Sequence, residues 1–240
     1  MKAILEQINP FHRSCKDETA LLLLLTISML CFEYFGWQGP YHRLFQDSNF
    51  YRFSSMNMRY FHAQIWTTCS FYFLMVFIPA LIYRFSFSER IWLLAKPDFK
   101  VLPLYGILYA VMLPVLIFVA RDPQFYKFYP LYRPENSLDW LKFELIYLPQ
   151  FFAVEFFFRG PLLAFFNRLK PGFGPLMMVL PYALIHIHKP FPEAIGSIFA
   201  GLVLAHLALK GKSIWPGVVL HMMIAVSMDF LGLWNSGFFN

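Results

Sequence analysis

Two charged residues, Glu155 and Arg159, lie within one of the most apolar stretches of this chain, separated by three phenylalanines. From residue 145 to residue 166 the only other polar side chains are Tyr147 and Gln150. A charged side chain in a bilayer-spanning helix costs about 2.5–3.5 kcal/mol or more, so it usually marks a function or pairs with another charge. Residues four apart share a helix face, so these two can pair. The pattern therefore indicates either a site of chemistry or an ion pair that joins two helices.

Two histidines lie in later apolar segments, at a depth similar to that of Glu155. Counted from basic residues in the neighbouring loops, Glu155, His186 and His221 lie about 20, 24 and 14 Å from one shared face. A carboxylate and two neutral imidazoles can hold Zn²⁺ with an open position for water. Alternatively, a Glu and a His can act directly on water as general base and proton shuttle. The spacing predicts hydrolytic chemistry and leaves both routes open.

The composition indicates that these residues are carried by membrane helices. Hydrophobic residues make up 58% of the chain and charged residues only 14%, whereas a soluble domain carries about 25% charged residues. We therefore predict an all-α, polytopic membrane helix bundle that forms a single integral-membrane domain over residues 1–240. The net charge of +6 does not indicate nucleic acid, because the basic residues cluster in short loops where membrane topology uses them.

Seven apolar segments are long enough to cross a bilayer, for which about 20 residues are needed. They span about 19–37, 63–85, 101–120, 139–166, 173–188, 192–209 and 212–234. The excess of Lys and Arg in the N-terminal tail and alternate connectors predicts a cytoplasmic N-terminus. We expect a multi-pass protein of the bacterial cytoplasmic membrane. Trp92 lies in an amphipathic connector that we expect to rest on the membrane surface.

The order of these motifs resembles that of the CAAX-protease and bacteriocin-processing (CPBP, or Abi) intramembrane proteases. That family carries Glu-Glu-x-x-x-Arg, then Phe-x-x-x-His, then His-x-x-x-Asn on successive helices. The corresponding residues here are Glu155 with Arg159, Tyr182 with His186, and His221. The resemblance covers about residues 139–234, the family-like core, and includes Gly201 and the run Ser213-Ile214-Trp215-Pro216-Gly217.

This sequence departs from the family pattern at two positions. Val154 stands where the family has its first Glu, which is often assigned as the base that activates water, and Ala225 stands where it has the Asn implicated in polarising the scissile carbonyl. The resemblance implies that Glu155, Arg159, His186 and His221 are the catalytic residues. If a divalent metal such as zinc is the cofactor, its ligands would be Glu155, His186 and His221. Either Glu155 takes over the role of the base, or the protein has lost peptidase activity.

We therefore expect an intramembrane endopeptidase that cuts a membrane-attached protein or peptide near the bilayer surface. Its partners would be that substrate and the lipid bilayer, with no nucleic acid. The alternative is a catalytically inactive family member that acts as a membrane scaffold or regulator. A third interpretation is a transporter or channel that uses Glu155 and Arg159 as a gate.

Overall fold

The computed structural model describes residues 16–81 and 94–239, and within these ranges every regular element is a helix. The predicted all-α class is therefore confirmed. The predicted surface connector around Trp92 lies outside the described residues. The helices are α1 Lys16–Phe35, α2 Gln38–Phe45, α3 Asn49–Phe53, α4 Met56–Phe71, α5 Leu102–Val119, α6 Pro123–Phe128, α7 Ser137–Tyr147, α8 Gln150–Phe157, α9 Leu163–Leu169, α10 Gly174–Leu184, α11 Phe191–Gly211 and α12 Trp215–Asn235.

Four helical stretches in the described part of the chain are long and apolar enough to cross a membrane. They are Met56–Leu81, in which α4 continues through a π-helical turn, Phe99–Val119, Phe191–Gly211 and Trp215–Asn235. A bent pair, Leu22–Phe35 and Gln38–Phe45, meets at 58° and counts as a fifth span if the two helices are one. The chain is an integral membrane protein, and a total of seven spans is compatible with this structure but stays a prediction.

Large apolar side chains face outward on these stretches, as expected for helices that contact lipid. Phe73, Ile107, Phe199 and Val219, one from each long span, are all exposed. A soluble protein rarely exposes contiguous apolar surface on this scale. The outward faces are therefore consistent with a hydrocarbon environment.

The predicted fourth span, residues 139–166, is a series of short helices. Proline has no backbone N–H to continue the helical hydrogen bonds, and Pro149 lies in the break between α7 and α8. A π-helical turn, Phe158–Leu162, then joins α8 to α9, with non-helical backbone angles at Gly160 just before Pro161. Such turns occur often at functional sites, and this one holds Arg159.

The predicted fifth span is also shorter than expected, because α10 ends at Leu184 and the chain turns between residues 185 and 189. His186 therefore follows the helix and does not lie within it. The main core packs α8, α9, α10 and α11 around fully buried side chains that include Phe158, Leu163, Met178 and Ala205. These helices carry the candidate site.

Two motif glycines allow neighbouring helices to approach closely. A Cβ at Gly201 of α11 would lie 2.8 Å from Cδ1 of Tyr182 on α10, and a Cβ at Gly217 of α12 would lie 2.8 Å from Oε2 of Glu155 on α8. Both distances are too short for a methyl group. Glycine at these positions lets α10 and α11, and α8 and α12, come together at the site.

Candidate functional site

Glu155 is at the centre of a buried polar cluster. Its Oε1 lies 3.1 Å from Nη1 of Arg159, and the two side chains are 1% and 0% exposed. Burial of the two charges removes both from water, which is costly unless they remain paired. The predicted ion pair between Glu155 and Arg159 is present. It lies inside the bundle, where the break around Gly160 and Pro161 turns the chain.

The guanidinium of Arg159 also lies over the ring of Tyr182, with Cζ 4.0 Å from the ring centroid. A cation over an aromatic face is attracted by the quadrupole of the ring, most strongly when both groups are out of water. Tyr182 is the residue that replaces Phe in the second motif. The ring of Tyr182 stabilises the guanidinium of Arg159, which in turn neutralises the carboxylate of Glu155.

His221 contacts the same carboxylate from α12. Its Nδ1 lies 3.0 Å from Oε1 of Glu155, and its side chain is partly exposed. Because a carboxylate can only accept, Nδ1 carries the proton and donates a hydrogen bond to Oε1 of Glu155. The other ring nitrogen, Nε2, is then a free acceptor. The ring also stacks on Phe151 of α8, with centroids 4.5 Å apart.

His186 lies at the end of α10, close to His221 and Arg159. Its Nδ1 donates to the main-chain carbonyl of Tyr182 over 2.8 Å, which leaves Nε2 as an acceptor. Its ring lies 4.7 Å from the ring of Tyr182, and it interacts electrostatically with His221 and Arg159. The structure thus brings all four predicted site residues into one region.

A cavity of about 580 Å³ opens beside the two histidines, and both His186 and His221 line it. Val154 and Ala225, the two positions at which the chain departs from the family pattern, line it as well. Glu155 is not among the lining residues, although it is adjacent to Val154 in sequence. The carboxylate that the motif predicted for the cavity is therefore turned away from it and reaches the cavity only through His221.

A three-ligand metal site does not fit this arrangement. Within residues 16–81 and 94–239, no group of three or more His, Cys, Asp or Glu side chains is placed to hold a metal ion. Oxygen Oε1 of Glu155 is already shared between Arg159 and the protonated Nδ1 of His221. The alternative set of zinc ligands Glu155, His186 and His221 is therefore not supported by the geometry.

A chain of amides enters the cavity from the side of α2 and α4. Nε2 of Gln38 donates to Oε1 of Gln64 over 2.9 Å, and Nε2 of Gln64 donates to Oε1 of Gln150 over 3.1 Å. All three side chains line the cavity. The motifs did not indicate this feature, and its one sequence signal was Gln150, a lone amide in an apolar span.

The rim of the cavity carries a second polar group. Nζ of Lys189 donates to the hydroxyl of Tyr129 over 3.0 Å, and that hydroxyl donates to Glu193. Tyr129 lies in the connector after α6, and burial, together with the carboxylate of Glu193, raises the pKa of its phenol well above the usual value. The phenol therefore stays neutral and keeps donating at physiological pH.

Two further buried acids lie apart from the cavity. Asp229 of α12 is fully buried, and its carboxyl lies against that of Glu144 on α7. Nε1 of Trp140 donates to Glu144 over 2.8 Å. Neither acid lines the cavity, so this pair joins α7 to α12 and does not extend the cluster around Glu155.

One comparison with known proteins finds a match. Residues 136–227 match the model of the family described as type II CAAX prenyl endopeptidase, Rce1-like. This segment runs from the start of α7 into α12 and contains Glu155, Arg159, His186 and His221. No curated protein and no solved structure matches the chain. The resemblance to CAAX proteases predicted from the motifs is thereby confirmed.

Proposed function

We propose that this protein, whose residues 136–227 are Rce1-like, is an intramembrane endopeptidase that cleaves a peptide bond in a lipid-anchored peptide or protein. The family description names a prenyl endopeptidase, and the cavity opens among helices whose outer faces contact lipid. A substrate anchored in the bilayer by a prenyl or other lipid chain could present its peptide to this cavity from the membrane.

The observation that carries this proposal is the hydrogen bond between Glu155 and His221 beside the cavity. A carboxylate that accepts the Nδ1 proton of an imidazole fixes the orientation of the ring and stabilises the imidazolium that forms when Nε2 takes a proton. Arg159 keeps Glu155 in its anionic form, because a nearby cation favours the charged carboxylate. We therefore assign the role of general base to His221, with Glu155 as its positioning partner.

The reaction needs one water molecule between the two histidines. Nε2 of His221 takes a proton from the water as its oxygen attacks the carbonyl carbon of the substrate, and Nε2 of His186 accepts the second hydrogen bond and orients the water. His221 then returns the proton to the nitrogen of the leaving amine as the C–N bond breaks. General acid–base catalysis of this kind contributes about 10²–10⁴-fold to the rate.

The alternative, an inactive member that serves as a membrane scaffold or regulator, draws on one observation. Val154 and Ala225 place alkyl side chains on the cavity wall where the family has a carboxylate and an amide. The third hypothesis, a channel or transporter gated by Glu155 and Arg159, has no support, because neither side chain lines the cavity.

Cleavage of a farnesylated peptide by the purified protein in lipid nanodiscs, followed by mass spectrometry, tests the proposal. We expect release of the C-terminal fragment by the wild type and a loss of about 10²-fold or more in His221→Ala and Glu155→Gln. The matched control is His188→Ala, because His188 also lines the cavity but its side chain is 71% exposed at the rim. If the wild type cleaves no lipid-anchored peptide while remaining folded, the scaffold alternative replaces this proposal.

A further inference from the structure

Gln150 presents two hydrogen-bond donors to the cavity, and no group within residues 16–81 and 94–239 accepts from them. Its side chain lines the cavity, and the residue is only 7% exposed. Its Oε1 accepts from Gln64, while the structure places no acceptor against its Nε2 in the described part of the chain. Its Nε2 is not among the fully enclosed side-chain atoms that lack a hydrogen-bond partner, so its N–H groups open onto the cavity, where a ligand that accepts a hydrogen bond would meet them.

The orientation of the Gln150 amide is determined by a series of hydrogen bonds that begins at Thr68 on α4. The hydroxyl of Thr68 donates its only proton to the main-chain carbonyl of Ile146 over 2.9 Å, so it can only accept from Nε2 of Gln64, which lies 3.2 Å away. With Nε2 of Gln64 fixed, its second proton goes to Oε1 of Gln150. The NH₂ group of Gln150 must then face the cavity.

The chain also fixes Gln150 close to the histidines. Gln150 and Val154 are four residues apart on α8, and both line the cavity. The residue that follows Gln150, Phe151, stacks on the ring of His221. The donors therefore lie on the same cavity wall as the proposed general base.

We propose that the NH₂ group of Gln150 donates to the carbonyl oxygen of the substrate peptide bond that is cleaved. This inference rests on the proposed endopeptidase function and adds the group that holds the scissile carbonyl. A neutral amide donor matches a neutral carbonyl oxygen, and a peptide brought to this depth needs partners for its main-chain groups. The hydrogen bond strengthens as negative charge develops on that oxygen during attack by water.

Two uncleavable farnesylated peptides test this contact by binding alone. In the first, a ketomethylene group replaces the scissile amide and keeps its carbonyl; in the second, an ethylene group removes it. We expect wild-type protein in nanodiscs to bind the ketomethylene peptide about five- to tenfold more tightly than the ethylene peptide. This ratio corresponds to the free energy of one such hydrogen bond. Gln150→Leu should bind both probes equally, at the weaker affinity.

Two further variants keep the test independent of folding. Gln150→Met keeps about the length of the side chain and removes both donors, so it should lose the preference as well. Ser197→Ala is the matched control, because Ser197 also lines the cavity but its hydroxyl already donates to the main-chain carbonyl of Ala194 over 2.7 Å. It should keep the wild-type preference.

The outcomes separate this inference from the function on which it rests. If the Gln150 variants prefer the ketomethylene probe as strongly as the wild type does, the assignment of Gln150 is wrong and the endopeptidase proposal stands. If folded wild-type protein binds neither probe, the cavity does not receive a lipid-anchored peptide, and both proposals are overturned.

Discussion

Val154 and Glu155 are adjacent in sequence but point to different sides of α8, Val154 into the cavity and Glu155 into the contact with His221 and Arg159. A helix turns about 100° per residue, so the two neighbouring side chains leave the helix in different directions. The replacement of the family's first Glu by Val therefore removes a carboxylate from the cavity but leaves the buried ion pair intact.

Arg159 is expected to be essential for both stability and activity. Removal of one partner of a buried pair leaves the other charge unpaired and costs about 3–5 kcal/mol. Arg159→Ala should therefore reduce the yield of folded protein, measured by size-exclusion chromatography in detergent, and abolish peptide cleavage. Arg159→Lys should restore these only in part, because an ammonium cannot lie flat over the ring of Tyr182 as the planar guanidinium does. Normal yield and cleavage in Arg159→Ala would contradict the pairing argument.

Glu155 and His221 should behave as one unit. If the carboxylate acts through the imidazole, the double variant Glu155→Gln/His221→Ala should cleave no more slowly than the slower single variant. The measurement is the initial rate of cleavage of a farnesylated peptide at equal amounts of folded protein. Losses that multiply in the double variant would show that the two residues act independently.

His186 is expected to affect the rate more than binding. Because its proposed partner is the attacking water, His186→Ala should lower kcat for peptide cleavage by about 10²-fold while the KM changes little. The affinity for the uncleavable ketomethylene peptide provides the control, and it should stay close to that of the wild type. A large loss of affinity would instead place His186 in substrate binding.

Gly217 provides a test of the contact between α8 and α12. A methyl group here would lie 2.8 Å from Oε2 of Glu155, so Gly217→Ala should displace the carboxylate from His221 and lower the cleavage rate. Gly106→Ala is the control, because a Cβ at Gly106 of α5 meets no atom within 4 Å. Without a clash, replacement of a helical Gly by Ala stabilises by about 0.5–1 kcal/mol. Equal cleavage by the two variants would mean that the close approach is unimportant.

Topology is predicted from the Lys and Arg bias alone. With a cytoplasmic N-terminus and seven spans, reporters fused after residue 240 and inserted in the loop 167–172 should lie on opposite sides of the membrane. Protease protection in sealed vesicles provides a check that does not depend on the reporters. The same side for both positions would mean that the number of spans is wrong.

Sequence reasoning located the buried charges because a Glu and an Arg in an apolar segment are conspicuous and the helical repeat places them on one face. It also singled out His186 and His221, both of which line the cavity. It could not determine how α8 is rotated about its axis, and it therefore did not find that Glu155 faces away from the cavity. That rotation depends on packing against α12.

The amide chain illustrates a second limit. Gln64 and Gln150 are 86 residues apart in sequence, and no local pattern links a Gln on α4 to one on α8. The breaks in the predicted fourth span were partly visible in Pro149 and Pro161. Their effect on the position of Arg159 required the structure, because proline shows where a helix is interrupted and not how the chain continues.

The two contacts between Glu155 and α12, at Gly217 and at His221, lie one helical turn apart, so they restrict how the cavity can admit a peptide. Rotation of α12 by a single residue would turn both away from Glu155 and separate the carboxylate from the imidazole. Opening of the cavity must therefore leave α8 and α12 in place. Among the described residues no hydrogen bond or ion pair joins Glu155 to the cavity walls of α2, α5 and α11, so these walls can move without separating the carboxylate from the imidazole.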